Sequence, residues 1–152
     1  MNIVAPFRIL VVEDEILIAL ELESLLQDLG HEVVGIAASY EEAVTLGEER
    51  APDLAFVDIH LADGPTGIDV SRYLADELGV TVLFMTANAK RIPEDFAGAR
   101  GVIAKPYTER GVKEALTYVM AQQGQGTEAP SARTMIFIPF GALSREDSSS
   151  VS

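Results

Sequence analysis

The chain has 152 residues, with 24 acidic and 11 basic side chains, a formal net charge of −13 and no cysteine. That length suits one domain with a full hydrophobic core plus a short appendage, and the charge argues against direct contact with a nucleic-acid backbone. Without thiols, disulfides, thiolate metal sites and cysteine nucleophiles are excluded, and with neither a signal-peptide pattern nor an apolar run near the roughly 20 residues of a membrane span, a cytoplasmic protein with no membrane association is expected.

The first apolar run, Phe7 to Val12, is short and branched and stops at Glu13, Asp14 and Glu15, as expected of a strand buried on both faces. From Ile16 the spacing turns helical, with Leu22, Leu25, Leu26 and Leu29 on one face and Gly30 as the stop. A second strand follows over Val33 to Ala37, then Ser39 and Glu42 match a capping box for a helix reaching Arg50. The third strand, Leu54 to Val57, ends at Asp58; past the polar loop 62–67 a helix runs from Ile68 to Leu78, and Gly79 leads into a fourth strand over Val80 to Met85. Between Asn88 and Arg100, Pro93 and Gly98 leave room only for a short or irregular fourth helix. A fifth strand, Val102 to Ala104, passes through Lys105 and Pro106 into a last helix over Thr108 to Gln122 with a Val112, Ala115, Leu116 and Val119 stripe.

Five strand-then-helix cycles with buried strands require right-handed crossovers. The expectation is a doubly wound α/β domain: a five-stranded parallel sheet with helices on both faces. Residues 1–122 form this domain, and 123–152 read as a linker and tail by composition, interrupted by an apolar segment at 135–140 in which Pro139 restricts any strand to an edge.

In such sheets ligands gather at the carboxyl ends of the strands, where this sequence sets Glu13 and Asp14, then Asp58, then Thr86, then Lys105. Each alone has a simpler reading: helix-terminal acids, a turn aspartate, a cap threonine, a solvated lysine. Together, after strands one, three, four and five, they make a chemical set. Three converging carboxylates call for a cation, and hard oxygen donors select Mg²⁺ or Mn²⁺. Asp58 is then the nucleophile toward phosphorus, Lys105 the ammonium on a phosphoryl oxygen, Thr86 a hydroxyl donor to another, and the backbone carbonyl of His60 a further metal ligand. The side chains of His60 and His31 read as a loop residue and a strand-leading residue.

These residues, in Leu10-Val11-Val12-Glu13-Asp14-Glu15, Val57-Asp58-Ile59, Met85-Thr86-Ala87 and Lys105-Pro106-Tyr107, resemble the receiver domain of two-component response regulators, over about residues 7 to 122. The resemblance implies the flavodoxin-like receiver fold, Mg²⁺ on the positions of Glu13, Asp14 and Asp58, phosphorylation of Asp58 by a sensor histidine kinase, switching through Thr86 and Lys105, and a cis Lys105-Pro106 bond. It also implies a contact surface on the fifth strand and last helix. The 58–67 loop and the Leu83 to Asn88 run are similar to the alphaproteobacterial subgroup nicknamed FATGUY, which includes stress-response receivers paired with HWE-type or related kinases. Two departures stand out: Phe84-Met85-Thr86-Ala87-Asn88 stands where the nickname expects Phe-Ala-Thr-Gly, and Val102 stands where the chemotaxis branch usually has an aromatic, three positions before the lysine.

The expected function is a stand-alone phosphoacceptor signalling protein rather than an enzyme acting on a separate substrate. It passes its signal through contacts with a downstream protein or phosphotransferase, or acts as a phosphate sink, as a monomer or a phosphorylation-dependent dimer. A constitutive protein-binding domain is the alternative. A haloacid-dehalogenase-like phosphatase is disfavoured because Asp58-Ile59-His60 lacks its second acid, and a nucleotide-binding module because acids stand where glycines should cradle phosphate.

Overall fold

A computed structural model describes residues 6–87, 89–122 and 137–140. Five strands, β1 (Arg8–Val12), β2 (Glu32–Ala37), β3 (Leu54–Asp58), β4 (Thr81–Thr86) and β5 (Gly101–Ala104), pair in parallel in the order β2-β1-β3-β4-β5. This is the doubly wound sheet expected from the sequence, with one addition. A sixth strand, β6 (Phe137–Pro139), lies antiparallel on the outer edge of β5, so the sheet is six-stranded rather than five-stranded. The apolar run at 135–140 contains this strand, and Pro139 sits on an edge as its missing N–H demands. Of the linker and tail expected at 123–152, all but residues 137–140 lie outside the described residues.

Strand periodicity divides the core into two layers. Ile9, Val11, Leu54, Phe56, Leu83, Met85 and Ile103 point to one face, where Leu22 and Leu26 of α1 (Ile16–Asp28) and Val112, Ala115 and Leu116 of α4 (Glu109–Met120) cover them. Their neighbours Leu10, Val12, Ala55, Val57, Val82, Phe84 and Val102 point to the other, under Ala43 of α2 (Tyr40–Arg50) and Val70 of α3 (Gly67–Arg72). Each fully buried Leu, Ile or Phe contributes about 1.5–3 kcal/mol, and strands apolar on both faces are what this double cover requires.

The local signals act much as read. Gly30 follows α1 at φ +96°, a left-handed stop that a β-carbon would disfavour. Ser39 caps α2 by accepting from the Glu42 N–H at 3.3 Å, while the Glu42 carboxylate accepts from the Ala38 N–H at 2.8 Å, one residue before the expected position. Thr108 caps α4, accepting from the Gly111 N–H at 3.0 Å. One stretch differs. The helix expected over 68–78 is α-helical only in α3 and continues as a π-turn over Tyr73–Glu77. After β4, where a short or irregular helix was expected, there are two 3₁₀ turns, Ala89–Arg91 and Phe96–Gly98, the second carrying Phe96 and Ala97 at positive φ. Among the described residues no helix is long and apolar enough to cross a membrane.

Candidate functional site

The carboxyl ends of β1, β3, β4 and β5 open on one rim. Glu13 continues from β1, its N–H held by the Ala37 carbonyl at 2.8 Å, and its side chain is 1% exposed. Its Oε2 accepts from the Glu15 N–H at 3.1 Å, a turn that sends Asp14 outward to solvent. Asp58 ends β3, is 6% exposed, and accepts through Oδ1 from the His60 N–H at 3.3 Å. Lys105, following β5 through a cis bond to Pro106, places Nζ 3.0 Å from Glu13 Oε1 and 2.9 Å from Asp58 Oδ2. Thr86 ends β4, buried and in register with Ala104, and its carbonyl accepts from the Lys105 N–H at 3.0 Å.

Glu13, Asp14 and Asp58 each offer a carboxylate oxygen within 4.8 Å of the others. Burial pushes Glu13 up to about 7; the bonds from Glu15 and Lys105 oppose that rise, and the nearby Asp58 charge adds to it. Burial alone would lower Lys105, but its bonds to Asp58 and Glu13 outweigh that and hold the ammonium above its ordinary value. One ammonium thus serves two buried carboxylates with a third at the rim. Oxygens around a six-coordinate Mg²⁺ at about 2.1 Å lie about 3 to 4 Å apart, so a small contraction brings this donor set onto such an ion. The residues fit a hard divalent cation.

The structure brings the side chains of Glu13, Asp14, Asp58 and Lys105 together and sets Thr86, buried, at the end of β4 on the same rim. His60 follows Asp58 with an exposed side chain, as expected of a loop residue. Sequence reasoning missed two supports. Gly67, read as part of a polar loop, opens α3 against the end of β3: its N–H donates to the Ile59 carbonyl at 2.9 Å, and a β-carbon there would lie 2.1 Å from the Asp58 carbonyl oxygen. Only glycine allows that approach, and a lone glycine before a helix was its only signal. Tyr107 bridges the loop after β5 to α1, its hydroxyl donating to the Ile18 carbonyl at 3.2 Å, and burial pushes that phenol up to about 12. Along the contact surface expected on β5 and the last helix, the outer edge of β5 carries β6.

A doubly wound sheet with an acid–acid–lysine rim after β1, β3 and β5 and a hydroxyl after β4 defines a receiver-type signalling domain. The chain belongs to the response regulator receiver domain family, which it matches over residues 9–117. It is 37% identical over 132 residues to the phyllosphere-induced regulator PhyR of Methylorubrum extorquens, covering 82% of this chain and 48% of that protein. The chain spans about half the length of the curated relatives it matches. The receiver domain of PhyR from Erythrobacter litoralis superposes with a TM-score of 0.70 at 31% identity, over 84% of this chain and 98% of that one. The anti-anti-sigma factor PhyR of Bartonella quintana, solved in complex with the anti-sigma factor NepR, matches at 38% identity and a TM-score of 0.50, over 52% of this chain and 33% of that one.

Proposed function

We propose that this chain is a phosphoacceptor module in which Asp58 takes a phosphoryl group from a histidine kinase, in a stress-response circuit of the kind its PhyR relatives are named for. The observation that carries the reading is the Lys105 ammonium bonded at once to Glu13 and Asp58, with Asp14 within reach. An Asp58 carboxylate oxygen attacks phosphorus, the P–N bond of the donor phosphohistidine breaks, and the imidazole leaves with that electron pair and takes up a proton; an acyl phosphate results. Lys105 turns from the carboxylate to a phosphoryl oxygen, and the Thr86 hydroxyl donates to a second. Glu13, Asp14, Asp58 and the His60 carbonyl would hold Mg²⁺ or Mn²⁺, which when bound neutralises charge on the phosphoryl oxygens. The exposed Ile16, Leu17 and Leu20 on the first turns of α1, just past the acidic triplet, offer a phosphodonor protein an apolar footing beside Asp58. The phosphorylated chain then passes its signal to a downstream protein or phosphotransferase whose contact depends on the state of Asp58, or acts as a phosphate sink.

Incubation with Mg²⁺ and acetyl phosphate, followed by intact-mass measurement, tests this reading beside Asp58→Asn and a metal-free control. A single phosphoryl adduct that requires both Mg²⁺ and Asp58 is expected. A folded chain that forms no adduct and releases no phosphate would overturn it in favour of a constitutive binding domain.

A further inference from the structure

The outer edge of β5 has no part in the phosphoacceptor reading, yet it is elaborately provided for. A sheet edge is a template for another extended segment, and here residues 137–140 take it, pairing Ile103 with Phe137, Val102 with Ile138 and Gly101 with Pro139. The Phe140 N–H then donates to the Arg100 carbonyl at 2.8 Å, and its ring, 5% exposed, stacks on Phe96 with centroids 4.2 Å apart.

The turn that lines the recess around Phe140 is held by bonds that do not involve residues 137–140. Phe96 and Ala97 stand at φ +59° and +51°, a conformation that persists only where its surroundings impose it. Asp95 accepts from the Ala97 N–H at 3.0 Å and pairs with Arg72, and the buried Ser71 hydroxyl donates to the Ala97 carbonyl at 2.8 Å. An aromatic recess at the end of a strand edge is the arrangement by which extended peptides are recognised: backbone bonds give adhesion and the pocket selects a side chain.

The occupant is lightly held. Three residues pair, Pro139 lacks an N–H, Ile138 is 40% exposed, and fourteen residues, 123–136, separate the strand from Gln122, two residues past α4. We propose that the β5 edge and the Phe96 recess form a strand-addition site for an extended segment of apolar-Pro-aromatic pattern, occupied in cis by residues 137–140 and taken by a partner protein's matching segment when that tail leaves. Tethering gives the tail an effective concentration on the order of millimolar, so a free segment with equal contacts loses to it while the tail is attached. The tail is therefore a guard on the site as well as its occupant.

A protease recognition sequence placed within 125–131 of the full chain allows the tail to be severed after folding, with every contact still present at the moment of cutting. A fluorescent peptide of residues 134–141 is then titrated by anisotropy against cut and dialysed chain, uncut chain, and uncut Phe140→Ala chain. The expected result is at least tenfold tighter binding to the cut and Phe140→Ala chains than to the uncut chain, and at least tenfold weaker binding by a peptide carrying Phe140→Ala. Amide exchange is expected to quicken at Val102 on cutting and to slow again with peptide, while β1 and β3 stay protected. Equal binding to cut and uncut chains, indifference to Phe140→Ala in the peptide, a tail that stays bound after dialysis, or self-association of the cut chain in place of peptide binding each overturns the proposal. The same titration on the Asp58→Asn chain is expected to be unchanged, which separates this site from the phosphoacceptor reading.

Discussion

Gly67→Ala is the substitution that most directly tests how the fold holds the site. The added carbon would lie 2.1 Å from the Asp58 carbonyl oxygen, 2.6 Å from the Ile59 α-carbon and 2.8 Å from the Ile59 oxygen, all backbone atoms that cannot rotate away. Either α3 retreats from the end of β3 or the β3 terminus bends. Overpacking costs about 1–3 kcal/mol, and loss of the Gly67 N–H bond to the Ile59 carbonyl adds about 1 kcal/mol. With a urea m-value of about 2 kcal/mol/M, a total of about 2–4 kcal/mol lowers the unfolding midpoint by about 1–2 M. Gly30→Ala is the control, since nothing lies within 4 Å of its β-carbon position and the cost is that of the left-handed backbone alone, about 1 kcal/mol or about 0.5 M. A Gly67→Ala midpoint no lower than that of Gly30→Ala would refute the close-approach reasoning.

Two further outcomes follow from the geometry. Lys105→Met removes the ammonium that competes with any cation for Glu13 and Asp58 oxygens 3.0 and 2.9 Å away; Mg²⁺ binding, followed as the rise in thermal midpoint with Mg²⁺ concentration, is expected to tighten at least about tenfold, or about 1.4 kcal/mol, and unchanged or weaker binding would count against the donor set. His31 gives a pH signature. Its Nδ1 accepts from the Phe7 N–H at 3.0 Å and burial lowers its pKa below the ordinary 6.5. The unfolded chain therefore takes up a proton near pH 6.5 that the folded chain refuses, so this contribution is fully present above pH 6.5 and declines as pH falls toward the lower folded value. The drop in urea midpoint from pH 7.5 to pH 5.5 is expected to be smaller in His31→Asn than in the parent, and equal drops would remove His31 from the account.

Much of the site was legible because it depends on strand order and residue type. Strands apolar on both faces, each ending in a chemically distinct residue, put Glu13, Asp58, Thr86 and Lys105 on one rim once right-handed crossovers are assumed. Features that depend on the distance between separate segments were not legible. The sequence marks Gly67 as a glycine before a helix but cannot show that its α-carbon faces the Asp58 carbonyl. The spacing from Ile68 to Leu78 looks helical throughout, because a π-turn over Tyr73–Glu77 leaves the apolar pattern unchanged. Phe96 and Ala97 at positive φ carry no sequence signal, since neither is a glycine.

The least legible relation joins two features that the sequence shows separately, the valine at 102 where an aromatic is usual and the apolar run at 135–140. Across an antiparallel pair, residues in register share a face and alternate residues return to it, so Val102, Ile138 and Phe140 lie on one side of the sheet. Val102 and Phe140 are buried in the same core layer, together with Phe84, and Phe96 packs against that layer. In that densely packed layer the Phe140 ring, stacked on Phe96, supplies aromatic bulk that Val102 does not. The small residue on β5 and the aromatic just past β6 fill one core layer: the ring comes from the residue after the added strand instead of from the fifth. Outward rotation of an aromatic at 102 is therefore unavailable to this chain, and the sheet edge where such a movement would be read is the edge that β6 covers.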